Sequence, residues 1–157
     1  METNFCILDA ARVGREMEEA FTLNPNHDCL YTGEAKTDLG GVAPWLFRLD
    51  VDPSGFQSWF TEKGWGDSWG ILIATDASFE ACREHFRKFL EVRTPDGEEC
   101  YFRFYDPRVL RAFLPSCDPQ QIIEFFGPVD YFITENDKGP NALRFSHRNG
   151  RLQSDVI

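Results

Sequence analysis

The run Trp69-Gly70-Ile71-Leu72-Ile73-Ala74 decides the fold class, because it is continuously apolar and has the length of a strand that is buried on both faces. Ser78 follows it as a helix N-cap. The helix after Ser78 carries an apolar stripe at helical spacing, formed by Phe79, Cys82, Phe86, Phe89 and Leu90. A buried strand that leads into an amphipathic helix indicates helices packed on a sheet.

The same interleaving extends along the chain in both directions. Further strands are predicted at residues 5–8, 29–32, 45–51, 90–93, 100–105, 129–134 and 142–147. Further helices are predicted at residues 10–21, after Asp52-Pro53-Ser54, and after the Asp-Pro pairs at 106–107 and 118–119. We therefore expect one α/β (mixed α+β) domain over residues 1–148, with a mixed sheet flanked by helices. A small helical sub-lobe is expected near residues 107–126, and residues 149–157 are expected to form a polar, frayed C-terminal tail.

Charge and composition narrow the classes of partner. The 157 residues carry a net charge of −10, whereas a nucleic-acid-binding protein normally presents a basic face. The longest apolar runs are too short for a membrane helix, and the first residues do not resemble a signal peptide. We expect no nucleic-acid partner, no membrane insertion and a cytoplasmic location.

The cysteines also indicate a cytoplasmic location. There are five, at irregular spacing and without a C-x-x-C or zinc-type pattern. Cys6, Cys82 and Cys100 lie in apolar segments, so each is predicted to be a small core side chain in a reducing compartment. No metal and no cofactor are expected.

Motifs of known catalytic chemistry do not occur. The chain contains no G-x-S-x-G, H-E-x-x-H, phosphate-binding P-loop or dinucleotide-binding glycine motif. A non-enzymatic role is therefore predicted. The enzymatic alternative is a small cytoplasmic enzyme with a site around His85, Arg103 and Asp106.

One segment, Arg103-Phe104-Tyr105-Asp106-Pro107-Arg108-Val109-Leu110, places a strand directly before a helix. Asp106 is suited to cap that helix, because its carboxylate can accept from amides of the first turn. Arg103 and Arg108 are close enough to pair with Asp106, or with Asp9 if the strands are neighbours. Two interpretations stay open: a capped junction tied by ion pairs, or a cleft that grips a partner through Arg103, Tyr105 and Arg108.

Residues 102–110, with Leu114-Pro115 and Phe125-Phe126-Gly127-Pro128, resemble the type VI secretion adaptor family, the Tap or TEC proteins. Weaker matches occur in the same order at residues 7–11, 43–46, 69–72 and 85–87. The resemblance covers roughly residues 5–132. It implies a non-catalytic bacterial adaptor or chaperone that binds a secreted effector protein and helps load it onto the spike (VgrG) protein.

Candidate partner-binding residues fall into two groups. The first is Arg103, Tyr105, Asp106 and Arg108, from the segment that resembles the family. The second is Trp59, Trp65 and Trp69, because Gly64 and Gly66 place a tryptophan on a turn. The alternative binding function is that of an immunity protein, since an acidic domain suits a basic toxin.

Overall fold

Short strands and helices alternate through most of the protein. The computed structural model describes residues 3–50 and 55–157. Its strands are β1 (Phe5–Asp9), β2 (His27–Cys29), β3 (Pro44–Arg48), β4 (Gly70–Thr75), β5 (Glu91–Arg93), β6 (Glu99–Tyr101), β7 (Val129–Glu135), β8 (Ala142–Arg148) and β9 (Arg151–Val156). Its α-helices are α1 (Ala10–Val13), α2 (Met17–Leu23), α3 (Gly33–Leu39), α4 (Phe56–Lys63), α5 (Phe79–Arg87), α6 (Pro107–Ser116) and α7 (Pro119–Phe126). The predicted single domain of mixed α and β structure is confirmed.

The main sheet has seven strands in the order β2-β3-β1-β4-β7-β8-β9, and β5 and β6 form a separate hairpin. The sheet was expected to be mixed, but every described pairing in it is antiparallel. The reason is the position of β1. The strands β3 and β4 run in the same direction, yet β1 lies between them and pairs with both in the opposite sense.

Each face of the sheet covers its own hydrophobic core. Alternate residues of β1 point to opposite faces, so Phe5 and Ile7 enter one core while Cys6 and Leu8 enter the other. Helices α5, α6 and α7 supply the first core, and α1, α2 and α4 supply the second. The two helices expected as a sub-lobe near residues 107–126 are present, and both pack into the first core.

Several predicted boundaries differ from the structure. The helix expected over residues 10–21 is interrupted, because α1 ends at Val13 and a 3-10 turn, Gly14–Glu16, leads into α2. The strand expected at residues 29–32 lies earlier, as β2. The strand expected at 45–51 ends at Arg48, and the helix start at Asp52-Pro53-Ser54 lies outside the described residues.

The expected frayed tail is wrong for most of its length, because Arg151–Val156 forms β9 and pairs with β8. A two-residue turn, Asn149-Gly150, joins the two strands, and both residues have positive φ (52° and 82°). This is the Asn-Gly turn that hairpins prefer. A strand at the edge of a sheet can be mostly polar, because much of its surface faces solvent. The polar composition of these residues therefore suggested a tail although they form a strand.

Two further sequence expectations concern the cysteines and the membrane. Cys6 and Cys82 are buried as expected, but Cys100 is exposed, as are all the residues of the short strands β5 and β6. None of the helices in residues 3–50 and 55–157 has the length and apolar character that crossing a bilayer requires. The same ranges contain no cluster of three His, Cys, Asp or Glu side chains arranged for a metal ion.

Candidate functional site

Two capped helix starts lie together at one end of the sheet. Asp9 ends β1 and caps α1, and Asp106 caps α6. Each cap carboxylate is buried and is paired with an arginine: Asp9 with Arg103, and Asp106 with Arg108. Both pairings were among those the sequence allowed. We call these four side chains the paired-arginine site.

Asp9 connects three segments of the chain. Its backbone N–H donates to the Trp69 carbonyl at 2.8 Å, and its carboxylate accepts from the Ala11 N–H at 3.1 Å and from the Arg103 guanidinium. Burial raises the pKa of Asp9 above its ordinary value, although the hydrogen bond and the charge of Arg103 act against the shift. Arg103 therefore compensates a carboxylate that the fold has removed from water.

The Asp106 carboxylate is held by Arg108, two residues later in the chain. Its Oδ1 accepts from the Arg108 backbone N–H at 2.9 Å and from Nε at 3.1 Å, and its Oδ2 accepts from Nη2 at 2.7 Å. Burial alone would raise the pKa of Asp106, but these hydrogen bonds and the charge of Arg108 outweigh burial, so the pKa lies below its ordinary value. The two-point contact fixes the plane of the guanidinium.

Tyr105 does not belong to the surface of this site. The strand expected over residues 100–105 ends at Tyr101, and a turn follows, in which the Asp106 N–H donates to the Arg103 carbonyl at 3.0 Å. The turn directs the Tyr105 ring into the first core, where it is 1% exposed. Its hydroxyl contacts that of Tyr31, and burial raises the pKa of Tyr105 strongly.

The two arginines, in contrast, reach the surface. Their side chains are 42% exposed for Arg103 and 52% exposed for Arg108, while the paired carboxylates are 0% and 3% exposed. A guanidinium has five N–H donors in a fixed plane, and only part of each is used by its carboxylate. The remaining donors of these partly exposed side chains can bind carbonyl or carboxylate oxygens of another molecule.

The candidate tryptophans lie on the other side of the sheet. Trp59 and Trp69 are buried in the second core with their ring centroids 5.5 Å apart. Trp65 is half-buried on the loop after α4 and packs edge-on against Phe60 at 5.7 Å. Of the three, Trp65 offers surface to a partner, while Trp59 and Trp69 are buried. The Asp9 N–H connects the site to the tryptophan region through its hydrogen bond to the Trp69 carbonyl.

Glu135, which the sequence reading did not single out, holds the loop that carries Trp65. It is a buried carboxylate at the end of β7, and its Oε1 accepts from the Ser68 N–H at 2.7 Å. Ser68 has a φ of 61°, in the left-handed region. Burial raises the pKa of Glu135 above its ordinary value. A charged residue shortly after the apolar run Tyr131-Phe132-Ile133 was the available sequence signal.

His85 and Asp106, two residues of the enzymatic alternative, have different hydrogen-bond partners. His85 is buried, its Nε2 lies 2.7 Å from the Phe125 carbonyl, and its ring packs against Phe86 and Phe89. Burial lowers the pKa of His85, which favours the neutral ring. His85 therefore links α5 to α7, whereas Asp106 is engaged by Arg108.

The comparisons with known proteins give one match. Residues 4–124 match a family model described as a domain of unknown function (DUF4123). The matched range contains all four side chains of the paired-arginine site and extends into α7. No curated protein and no solved structure matched the chain.

Proposed function

This chain belongs to the family of the domain of unknown function DUF4123, and from that premise we propose that it is a non-catalytic adaptor of type VI secretion. It binds a secreted effector in the bacterial cytoplasm and helps to load that effector onto the spike (VgrG) protein. The partner classes come from the resemblance of residues 102–110 and 125–128 to the secretion adaptors. The physical support comes from the paired-arginine site.

The observation that carries the proposal is the half-exposed state of Arg103 and Arg108 above buried carboxylates. An arginine held in this way loses little conformational freedom when it binds, since its carboxylate has already fixed it. Its outward donors suit the carbonyl and carboxylate oxygens of a peptide segment. Arginines of this kind are frequent among the residues that dominate protein interfaces.

Binding by this site is reversible and requires no chemical step. The effector segment accepts hydrogen bonds from the two guanidinium groups. Trp65, on the other side of the sheet, offers a separate half-buried aromatic surface. The ion pairs hold the guanidinium groups in the same place before and after binding. Release then depends on competition from the spike protein rather than on a nucleotide.

The test is quantitative capture of partners from the native cell lysate. Arg108→Ala removes one of the two guanidinium groups of the site. The Asp106 carboxylate still accepts from the backbone N–H of residue 108, so the variant should fold. Arg93→Ala is the matched control, because Arg93 is an exposed arginine that also pairs with a carboxylate, Glu99. We expect Arg108→Ala to weaken effector binding about tenfold or more and Arg93→Ala to leave it unchanged.

One outcome would contradict the proposed site, and two others would contradict the adaptor function. Equal capture by wild type and Arg108→Ala would remove the site from the interface. Capture of a small toxin whose activity is blocked would identify an immunity protein. An activity that is lost in a folded His85→Ala variant would identify an enzyme.

A further inference from the structure

The outer edge of β9 carries backbone groups that no strand within residues 3–50 and 55–157 pairs. Beyond the end of β9, Ala142 and Ile157 exchange both of their backbone hydrogen bonds, at 3.0 and 2.9 Å. Pairs of this kind recur at every second position of an antiparallel ladder. The residues of β9 whose N–H and C=O groups point away from β8 are therefore Leu152, Ser154 and Val156.

Within one chain, Arg151 of β9 faces a like charge across the hairpin. Arg151 lies directly opposite Arg148 across the β8–β9 hairpin, and like charges in this position destabilise a sheet. Asp155 lies opposite Arg144, with 3.4 Å between Oδ2 and Nη2, and remains 54% exposed. An acidic group beside Arg151 would offset the repulsion from Arg148.

We propose that a second copy of this chain supplies that group by pairing antiparallel along β9, with the twofold axis at Gln153. In this register Arg151 lies opposite Asp155 of the second copy, and the same pair recurs on the other side of the axis. Both pairs occupy positions without backbone hydrogen bonds, where opposite side chains are closest. Leu152 and Ser154 then exchange backbone hydrogen bonds across the interface.

The surroundings of β9 favour a second copy as the occupant. A twofold interface brings one surface patch against itself, so it needs a self-complementary sequence, and Arg151 and Asp155 are placed symmetrically about Gln153. The strand contains neither of the residues, Pro and Lys, that commonly protect an edge. Three of the exposed large apolar residues lie here: Val156, Ile157 and, on the adjacent helix α7, Ile123.

The dimer is expected to be weak. One strand pair with its flanking side chains buries less than the roughly 1,200 Å² of a standard stable interface, and a net charge of −10 on each copy opposes association. We expect a dissociation constant on the order of micromolar or above. Association should therefore appear as a mass that increases with protein concentration.

The first test blocks the backbone edge. Sedimentation equilibrium of the full chain, from low micromolar to near-millimolar concentration, compares wild type with Ser154→Pro and the control Ser154→Ala. Proline removes an N–H that points away from β8, so the β8–β9 ladder keeps its hydrogen bonds. We expect Ser154→Pro to stay monomeric and Ser154→Ala to dimerise. A monomeric wild type at all concentrations, or a dimer retained in folded Ser154→Pro, would overturn the proposal.

The second test exchanges the charges and does not depend on the proline variant. Arg151→Asp and Asp155→Arg each place like charges together at both pairs and should raise the dissociation constant roughly tenfold. Arg151→Asp should keep the fold, because the new carboxylate lies opposite Arg148 in its own chain. The double variant restores opposite charges and should dimerise like wild type. A double variant as weak as the single ones would refute the register.

Discussion

The Asp9 carboxylate accepts a hydrogen bond from the Arg103 guanidinium across 94 positions of sequence. This contact joins the end of the central strand β1 to the turn that precedes α6. Asp9 is fully buried and Arg103 is partly exposed, so one contact stabilises the fold and also presents a donor group to solvent.

Removal of Arg103 should therefore cost more stability than removal of Arg108. In Arg103→Ala the buried Asp9 carboxylate loses its charged partner, and we expect the free energy of unfolding to fall by about 1–3 kcal/mol. Each carboxylate keeps a backbone N–H in the variant that removes its arginine, Asp9 that of Ala11 at 3.1 Å and Asp106 that of residue 108 at 2.9 Å. Asp106 also keeps the nearby charge of Arg103 in Arg108→Ala, so the loss should be smaller there. Urea denaturation of both variants measures the difference, and equal losses would show that the Asp9 pair has no special structural role.

Glu135 should make stability depend on pH. Burial places its pKa in the folded protein above the unfolded value, so the folded state binds more protons between the two values. Its contribution to stability therefore decreases as pH rises from below about 4 through the folded pKa. Glu135→Gln keeps an acceptor oxygen for the Ser68 N–H but does not titrate.

The measurement is the difference in unfolding free energy between Glu135→Gln and wild type along a pH series. We expect this difference to shift in favour of the variant as pH rises from about 4 to about 7. A difference that stays constant would mean that the Glu135 pKa is the same in the folded and unfolded protein.

Gly127 should not tolerate a side chain. Its φ is 49°, and a Cβ built there would lie 2.3 Å from Cε1 of His85, which is itself fixed at 2.7 Å from the Phe125 carbonyl. We expect Gly127→Ala to lower the melting temperature by several degrees, because a loss of about 1–3 kcal/mol is typical of strain at such a position. Gly139→Ala is the control, since a Cβ there meets no atom within 4 Å. Similar melting temperatures for both variants would contradict the packing described here.

Thr134 should accept an apolar replacement. Its side chain is fully buried in β7, and its hydroxyl has no hydrogen-bond partner within the described part of the chain. Valine has nearly the same shape without the polar group, so Thr134→Val should leave stability unchanged or raise it by up to about 1 kcal/mol. A marked loss in thermal unfolding would indicate that the hydroxyl has a partner after all.

Local signals in the sequence were sufficient for the parts of the fold with strong periodicity or capping. The strand at β4, the helix that Ser78 begins and the helices that Asp106 and Asp118 cap all occur where the sequence placed them. The Ser78 and Asp118 caps are present: their side-chain oxygens accept from the backbone N–H groups of Ala81 and Gln121. Each of these features depends on residues a few positions apart, which a single sequence displays directly.

Features that depend on long-range contacts were harder to predict from the sequence. The direction of Tyr105 depends on a turn after β6 that replaces the expected strand, and a change from strand to turn alters which side chains face the core. The position of β1 between β3 and β4 depends on pairings between residues that are 35 (Asp9 and Pro44) to 68 (Phe5 and Ile73) positions apart. One sequence gives no register for such pairings. The Asn149-Gly150 turn was a local signal, and it was outweighed by the polar composition around it.

The central position of β1 also has a consequence for folding during synthesis. Both neighbours of β1 follow it in the chain, and the second, β4, ends at Thr75. During synthesis the ribosome therefore releases an apolar strand with two open edges long before the segments that cover it. Pairings of such sequence separation slow folding, and an exposed apolar strand is prone to aggregate in the interval. The chaperone proposed here would itself depend, while it is nascent, on protection of β1.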